Sequence, residues 1–174
     1  MPIYDLNQTY YLWQDIEEIT NRIGLLYSIE KDNGKRFIKS KTTINSKHHW
    51  TSEECNNTFN KLIPKIKSLH KDMYSLIEAI YKYNNNNKFN RIILEKTYQN
   101  FEEFRLLNNQ FKHYSSGEIE INVIPITMLE NDQNIIDICC NFKKNDENIK
   151  PIRYPDFIEL FLLFLKDNGL ITFR

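Results

Sequence analysis

Near the N-terminus apolar residues recur at three- and four-residue intervals: Leu6, Tyr10, Trp13, Ile16, Ile19, Ile23, Leu26 and Tyr27. That spacing predicts an amphipathic helix over residues 6 to about 30. It stops at KDNGK, where Asn33-Gly34 reads as a left-handed helix cap, with a hairpin turn into KRFIKS as the other option. The cap is the reading adopted. Residues 38–50, IKSKTTINSKHHW, show no sustained period and read as a loop. Thr51 or Ser52, followed by Glu53 and Glu54, then supplies an N-cap with acid in the first turn.

A second helix follows from Phe59, Leu62, Ile63, Ile66, Leu69, Met73, Leu76, Ile77 and Ile80, and runs to about residue 83. Pro64 inside it lacks a donor and collides with the preceding turn, so a kink or a restart is expected there. The run of four asparagines at 84–87 is a link. A third helix carries Phe89, Ile92, Ile93, Thr97, Phe101, Phe104, Leu107 and Phe111 on one side and ends at Ser115-Ser116-Gly117.

After Gly117 the period changes to two. Ile119, Ile121 and Val123 alternate with polar residues, and beyond a turn at LENDQN the run IIDICCNF puts Ile136, Ile138, Cys140 and Phe142 on one face. These predict an antiparallel hairpin. KKNDENIK reads as a charged loop, and Pro155-Asp156 opens a last helix with Phe157, Leu160, Phe161 and Phe164, capped at Asn168-Gly169. The expected architecture is mainly α: one domain over 1–174, a bundle of three long helices with a β-hairpin and a C-terminal helix.

Composition narrows the function classes. Of 174 residues, 41% are hydrophobic and 13% aromatic, which belongs to a folded domain rather than a disordered chain. Lys plus Arg equals Asp plus Glu at 23 each, so any nucleic-acid contact must come from a local patch and not from a global field. Three cysteines make neither a disulfide framework nor a paired metal motif, and point to a reducing, cytoplasmic setting. The first residues lack the pattern of a secretory signal, and the most apolar run, FIELFLLFL at 157–165, falls far short of the roughly 20 residues a membrane span needs. No membrane association is expected.

On the third helix Arg105, Asn109 and His113 stand at i, i+4 and i+8, forming one stripe turned away from Phe104, Leu107 and Phe111, with Lys112 beside it. A histidine can take and return a proton, a lysine or arginine can hold a phosphate, and an asparagine amide can orient either partner. Such a set suffices for metal-independent RNA cleavage, in which a 2′-hydroxyl attacks the neighbouring phosphate. The same Lys112 and His113 also suit a helix C-terminus, whose dipole and free carbonyls favour cations.

The segment NNQFKHYSSGEIEI, with long helices before it and a hairpin and helix after it, resembles the HEPN superfamily of small helical bundles from prokaryotic toxin–antitoxin, abortive-infection and CRISPR-associated systems. In that superfamily an arginine, often followed by asparagine, precedes a histidine with four to six residues between them near the end of a long helix, and active members cleave RNA without metal across a homodimer interface. Asn109 matches the polar residue, His113 matches the histidine, and Asn108 stands where the arginine belongs; Arg105 is the nearest arginine. The resemblance implies a homodimer, with His113 as acid or base, Asn109 orienting, Arg105 or Lys112 on phosphate, and Asn108 at the substrate. It implies no cofactor and no required metal. A noncatalytic module that dimerises or binds a partner protein is the alternative.

Other candidates read as structural. His48 and His49 are adjacent and diverge, without zinc-site spacing around them; His70 lies beside the apolar stripe of the second helix, in need of a buried partner. Cys139 and Cys140 should point to opposite faces of a strand, and no base accompanies Cys55. Glu17-Glu18, Glu53-Glu54 and Glu102-Glu103 are adjacent pairs that read as solvated surface. The four glycines lie far apart, so the familiar nucleotide-binding loops are excluded.

Overall fold

Thr51 opens the longest element, α1 (Ser52–Asn84), through a reciprocal cap: the Glu54 amide donates to the Thr51 hydroxyl at 3.1 Å while the Thr51 amide donates to the Glu54 carboxylate at 3.4 Å. In this computed structural model the described residues are 12, 14–16, 18–19, 25–32, 35–43, 51–113, 119–130, 133–144 and 147–173. Most of them are helical. Residues 12, 14–16 and 18–19 form helical backbone with Leu12, Ile16 and Ile19 buried, and Glu18 pairs with Lys65 of α1. The chain then forms β1 (Leu25–Asp32), β2 (Lys35–Thr43), α1, α2 (Arg91–Thr97), α3 (Phe101–His113), β3 (Ile119–Glu130), β4 (Gln133–Lys144), β5 (Glu147–Arg153), α4 (Tyr154–Asp167) and β6 (Ile171–Phe173).

Two expectations fail in the N-terminal third. The first helix does not reach residue 30, and residues 38–43 are strand rather than loop: β1 pairs antiparallel with β2 from Leu25↔Thr43 to Asp32↔Lys35. Asn33 and Gly34, where the helix cap was expected, lie outside the described residues, between Asp32 and Lys35. The alternation was hidden by a bulge. Ser28 pairs Ser40 while Ile29 pairs Ile38, so one extra β2 residue breaks the period of two. The expected loop at 44–50, with His48 and His49, lies outside the described residues.

Among the described residues α1 is the one long helix. α1 runs unbroken through Pro64, so there is no restart; Pro64 and Asn60 are both exposed, and the Asn60 carbonyl that loses its donor can be solvated. The expected third helix is divided. Asn90 caps α2 by accepting from the Ile93 amide at 3.2 Å, and the chain breaks at Tyr98–Asn100 before α3 begins. Asn100 adopts φ +69°, a left-handed conformation that asparagine tolerates better than most residues.

The predicted hairpin is present as β3 and β4, in register from Ile119↔Lys144 to Glu130↔Gln133. The expected charged loop supplies a third strand instead. β5 pairs antiparallel with β4, giving the order β3-β4-β5, with a bulge between Phe142 and Lys143 and Pro151 tolerated on the edge strand. A separate sheet has the order β1-β2-β6, with β6 parallel to β2.

α4 is apolar nearly all round, so it must be enclosed. Tyr154, Phe157, Ile158, Phe161, Leu162, Phe164 and Leu165 are all buried. The sheet covers one side of it: Ile138, Cys140, Phe142 and Ile152 are buried on the inner face, and Phe142 meets Phe157 edge-on. Cys140 is fully buried and Cys139, on the opposite face, is 7% exposed; neither is in a disulfide. α1 covers another side through His70, whose ring lies within 6 Å of Phe104, Phe111, Tyr154 and Phe157. No helix among the described residues is long and apolar enough to cross a membrane.

Candidate functional site

The placement of α3 follows from three anchors. Phe101 and Phe104 pack on Tyr74 of α1, the Gln110 amide donates to the Ile121 carbonyl of β3 at 2.7 Å, and Tyr98, just before α3, donates to Asp167 at the end of α4 at 2.8 Å. Burial and the bond to Asp167 push the Tyr98 pKa up, so its hydroxyl stays a donor. With Phe104 and Leu107 inward, helical spacing turns Asn109 and His113 away from them, while Arg105, about 100° round from Phe104, stands at the flank.

Exposure rises along that stripe. The Arg105 side chain is 17% exposed, Asn109 is half-buried, and Lys112 and His113 are exposed at the last turn. Their helical spacing sets Arg105 and His113 about 12 Å apart along the axis. One copy of α3 therefore cannot bring both groups to a single phosphate. Asn108 departs from the expected placement at the substrate: it is 1% exposed, turned into the protein between the directions of Phe101 and Phe104, and its Oδ1 has no hydrogen-bond partner. A buried amide oxygen left unpaired costs about 1–3 kcal/mol.

Arg105 has a neighbour that sequence reading did not supply. Its Nε lies 3.9 Å from Glu95 Oε1 of α2, and the same oxygen is 3.3 Å from Arg91 Nε. At 3.9 Å the first contact is an ion pair and no hydrogen bond; Arg105 Nε is buried without a hydrogen-bond partner. Tyr74 lies under this group: burial and then Glu78 raise its pKa, while Arg105 and Arg91 pull it down. Arg91 and Glu95 are an i, i+4 pair visible in the sequence, but their meeting with Arg105 depends on the chain reversal at Asn100, which has no periodic signature.

Comparison with known proteins gives no match to a family model, a curated protein or a solved structure.

The remaining histidine candidate belongs to the core. His70 is fully buried; Nε2 donates to the Phe104 carbonyl at 2.8 Å, which leaves Nδ1, 3.2 Å from the Tyr154 hydroxyl, to accept. Burial lowers its pKa to about 4, against a smaller upward pull from the Phe104 bond, so it is neutral at pH 7 and does not face the stripe. No group of three or more His, Cys, Asp or Glu among the described residues is placed to hold a metal. A cleft of about 240 Å³ lined by Phe59, Ile63, Lys67, Gln110, Phe111 and Val123 opens on the other side of α3, since Phe111 and His113 lie about 160° apart around the helix.

Proposed function

We propose that this chain is a HEPN-like protein of a prokaryotic defence or toxin–antitoxin type system, and that it cleaves RNA without a metal at the outer face of α3. The observation that supports this most is the exposure of Lys112 and His113 at the end of a stripe that begins at Arg105. In this reading the His113 imidazole takes the proton of a ribose 2′-hydroxyl as its oxygen attacks phosphorus, the P–O5′ bond breaks, and the departing 5′-oxygen takes a proton from water, leaving a 2′,3′-cyclic phosphate. Lys112 and Arg105 offset the charge that builds on the phosphate, and Asn109 orients it.

Two copies are needed. Arg105 and His113 each lie four residues from Asn109, so an antiparallel two-fold pairing of α3 helices about Asn109 sets Arg105 of one copy against the partner's His113. That arrangement closes the axial gap which one chain leaves open. Expression in a bacterial host tests it: growth arrest and RNA loss should vanish with His113→Ala.

A second reading is favoured by one feature. Asn108 is buried where the motif arginine is expected, and Arg105 is partly neutralised by Glu95. A noncatalytic module would use the same stripe to bind a partner protein, and both the parent chain and His113→Ala would then leave RNA intact.

A further inference from the structure

We infer that Arg91 and Arg105 form a phosphate-binding pair which Glu95 occupies until the phosphodiester backbone of single-stranded RNA displaces it. This deepens the ribonuclease reading by extending its substrate contact from α3 onto α2, and it rests on the outer face of α3 being the RNA surface.

Three features carry it. Two guanidiniums from different helices converge on one carboxylate oxygen, at 3.3 and 3.9 Å, which leaves the cluster with one net positive charge. The Arg105 Nε–H is buried, and Glu95 is too distant to accept from it, so its hydrogen-bonding capacity is unmet by the group nearest to it. A tetrahedral phosphate presents more acceptor oxygens than a carboxylate and suits two converging guanidinium forks. Position supports the same ligand. In the proposed pairing Arg105 stands against the partner's His113, so a strand held at Arg91 and Arg105 has its next phosphate directed towards that histidine. In a chain with no net charge, such a local pair is where backbone affinity must come from.

Glu95 is 26% exposed and its partner Arg91 52% exposed, so the carboxylate can swing to solvent at little cost. Glu102, exposed on the outer side of α3 one turn before Arg105, is an acid that makes no ion pair with either arginine and serves as the control.

The test is binding of a short fluorescein-labelled oligouridylate to the full chain carrying His113→Ala, followed by anisotropy across a salt series. Using this background keeps the probe intact and separates binding from cleavage. Arg91→Ala and Arg105→Ala should each weaken binding about tenfold and each flatten the dependence of log K on log salt by about 0.7. Glu95→Gln should tighten binding by about threefold or more, beyond the change given by Glu102→Gln, which adds the same charge nearby. Thermal melts identify any variant that fails to fold, and Glu95→Gln, being isosteric, keeps the comparison intact if Arg105→Ala does not. The inference is overturned if Glu95→Gln binds no tighter than Glu102→Gln, or if Arg91→Ala leaves affinity and salt slope unchanged. It is equally overturned if inorganic phosphate binds in a Glu95-sensitive manner while oligouridylate does not. A chain that binds as described but never cleaves contradicts the ribonuclease reading alone.

Discussion

His70 shows how one buried polar residue ties the core together. Its two ring nitrogens are satisfied by Phe104 and Tyr154, and protonation would place an uncompensated charge among four aromatic rings. Because its pKa falls from 6.5 to about 4 on folding, the unfolded chain binds the proton more readily. The contribution to stability is complete above pH 6.5 and is lost as pH falls towards 4. At pH 5 the loss is about 2 kcal/mol. Urea titrations should show this decline in the parent chain, and a flatter profile over the same range in His70→Gln, which keeps a donor for the Phe104 carbonyl. Asn108 is the other residue-scale case. Asn108→Leu should leave stability within about 1 kcal/mol or raise it, because it removes an unpaired oxygen. Asn108→Arg, which puts an arginine five positions before His113, should cost several kcal/mol by burying a charge. A thermal melt of Asn108→Arg matching the parent would overturn the burial argument.

At the scale of elements, the break between α2 and α3 decides what Arg105 can reach. Asn100 holds φ +69° there, and Asn100→Val should destabilise by about 1–2 kcal/mol, whereas Asn100→Gly should be close to neutral, as read from denaturant midpoints. The sequence made long apolar periodicity legible: the burial of α1, the β3–β4 hairpin and α4 all follow from it. It did not show elements whose period is interrupted. A bulge in β2 and another between β4 and β5 each insert one residue, which turned two strands into apparent loops. Likewise Phe89 to Phe111 kept helical spacing across a chain break, although Ile92 and Ile93 are exposed and Leu94 is the buried residue of α2. Of the candidate residues, the exposure of Lys112 and His113 was legible, while the burial of Asn108 and of Arg105 Nε was not, since helix positions at the flank lie between inward and outward directions.

At the scale of the whole molecule, the proposed cleavage requires association. The antiparallel pairing proposed for α3 places Asn109 on the two-fold axis, so Asn109→Lys sets two like charges against each other there. Light scattering should find the parent chain as a dimer and Asn109→Lys as a monomer with an unchanged melt, because Asn109 is only half-buried. The cleavage chemistry then depends on His113 alone as proton carrier. The most direct measurement is digestion of single-stranded RNA by the purified chain in the presence of a chelator, beside His113→Ala at the same concentration. Cleavage by the parent chain that falls by about a hundredfold or more in the variant is the predicted result. Equal rates in the two proteins, or intact RNA in both, would contradict it.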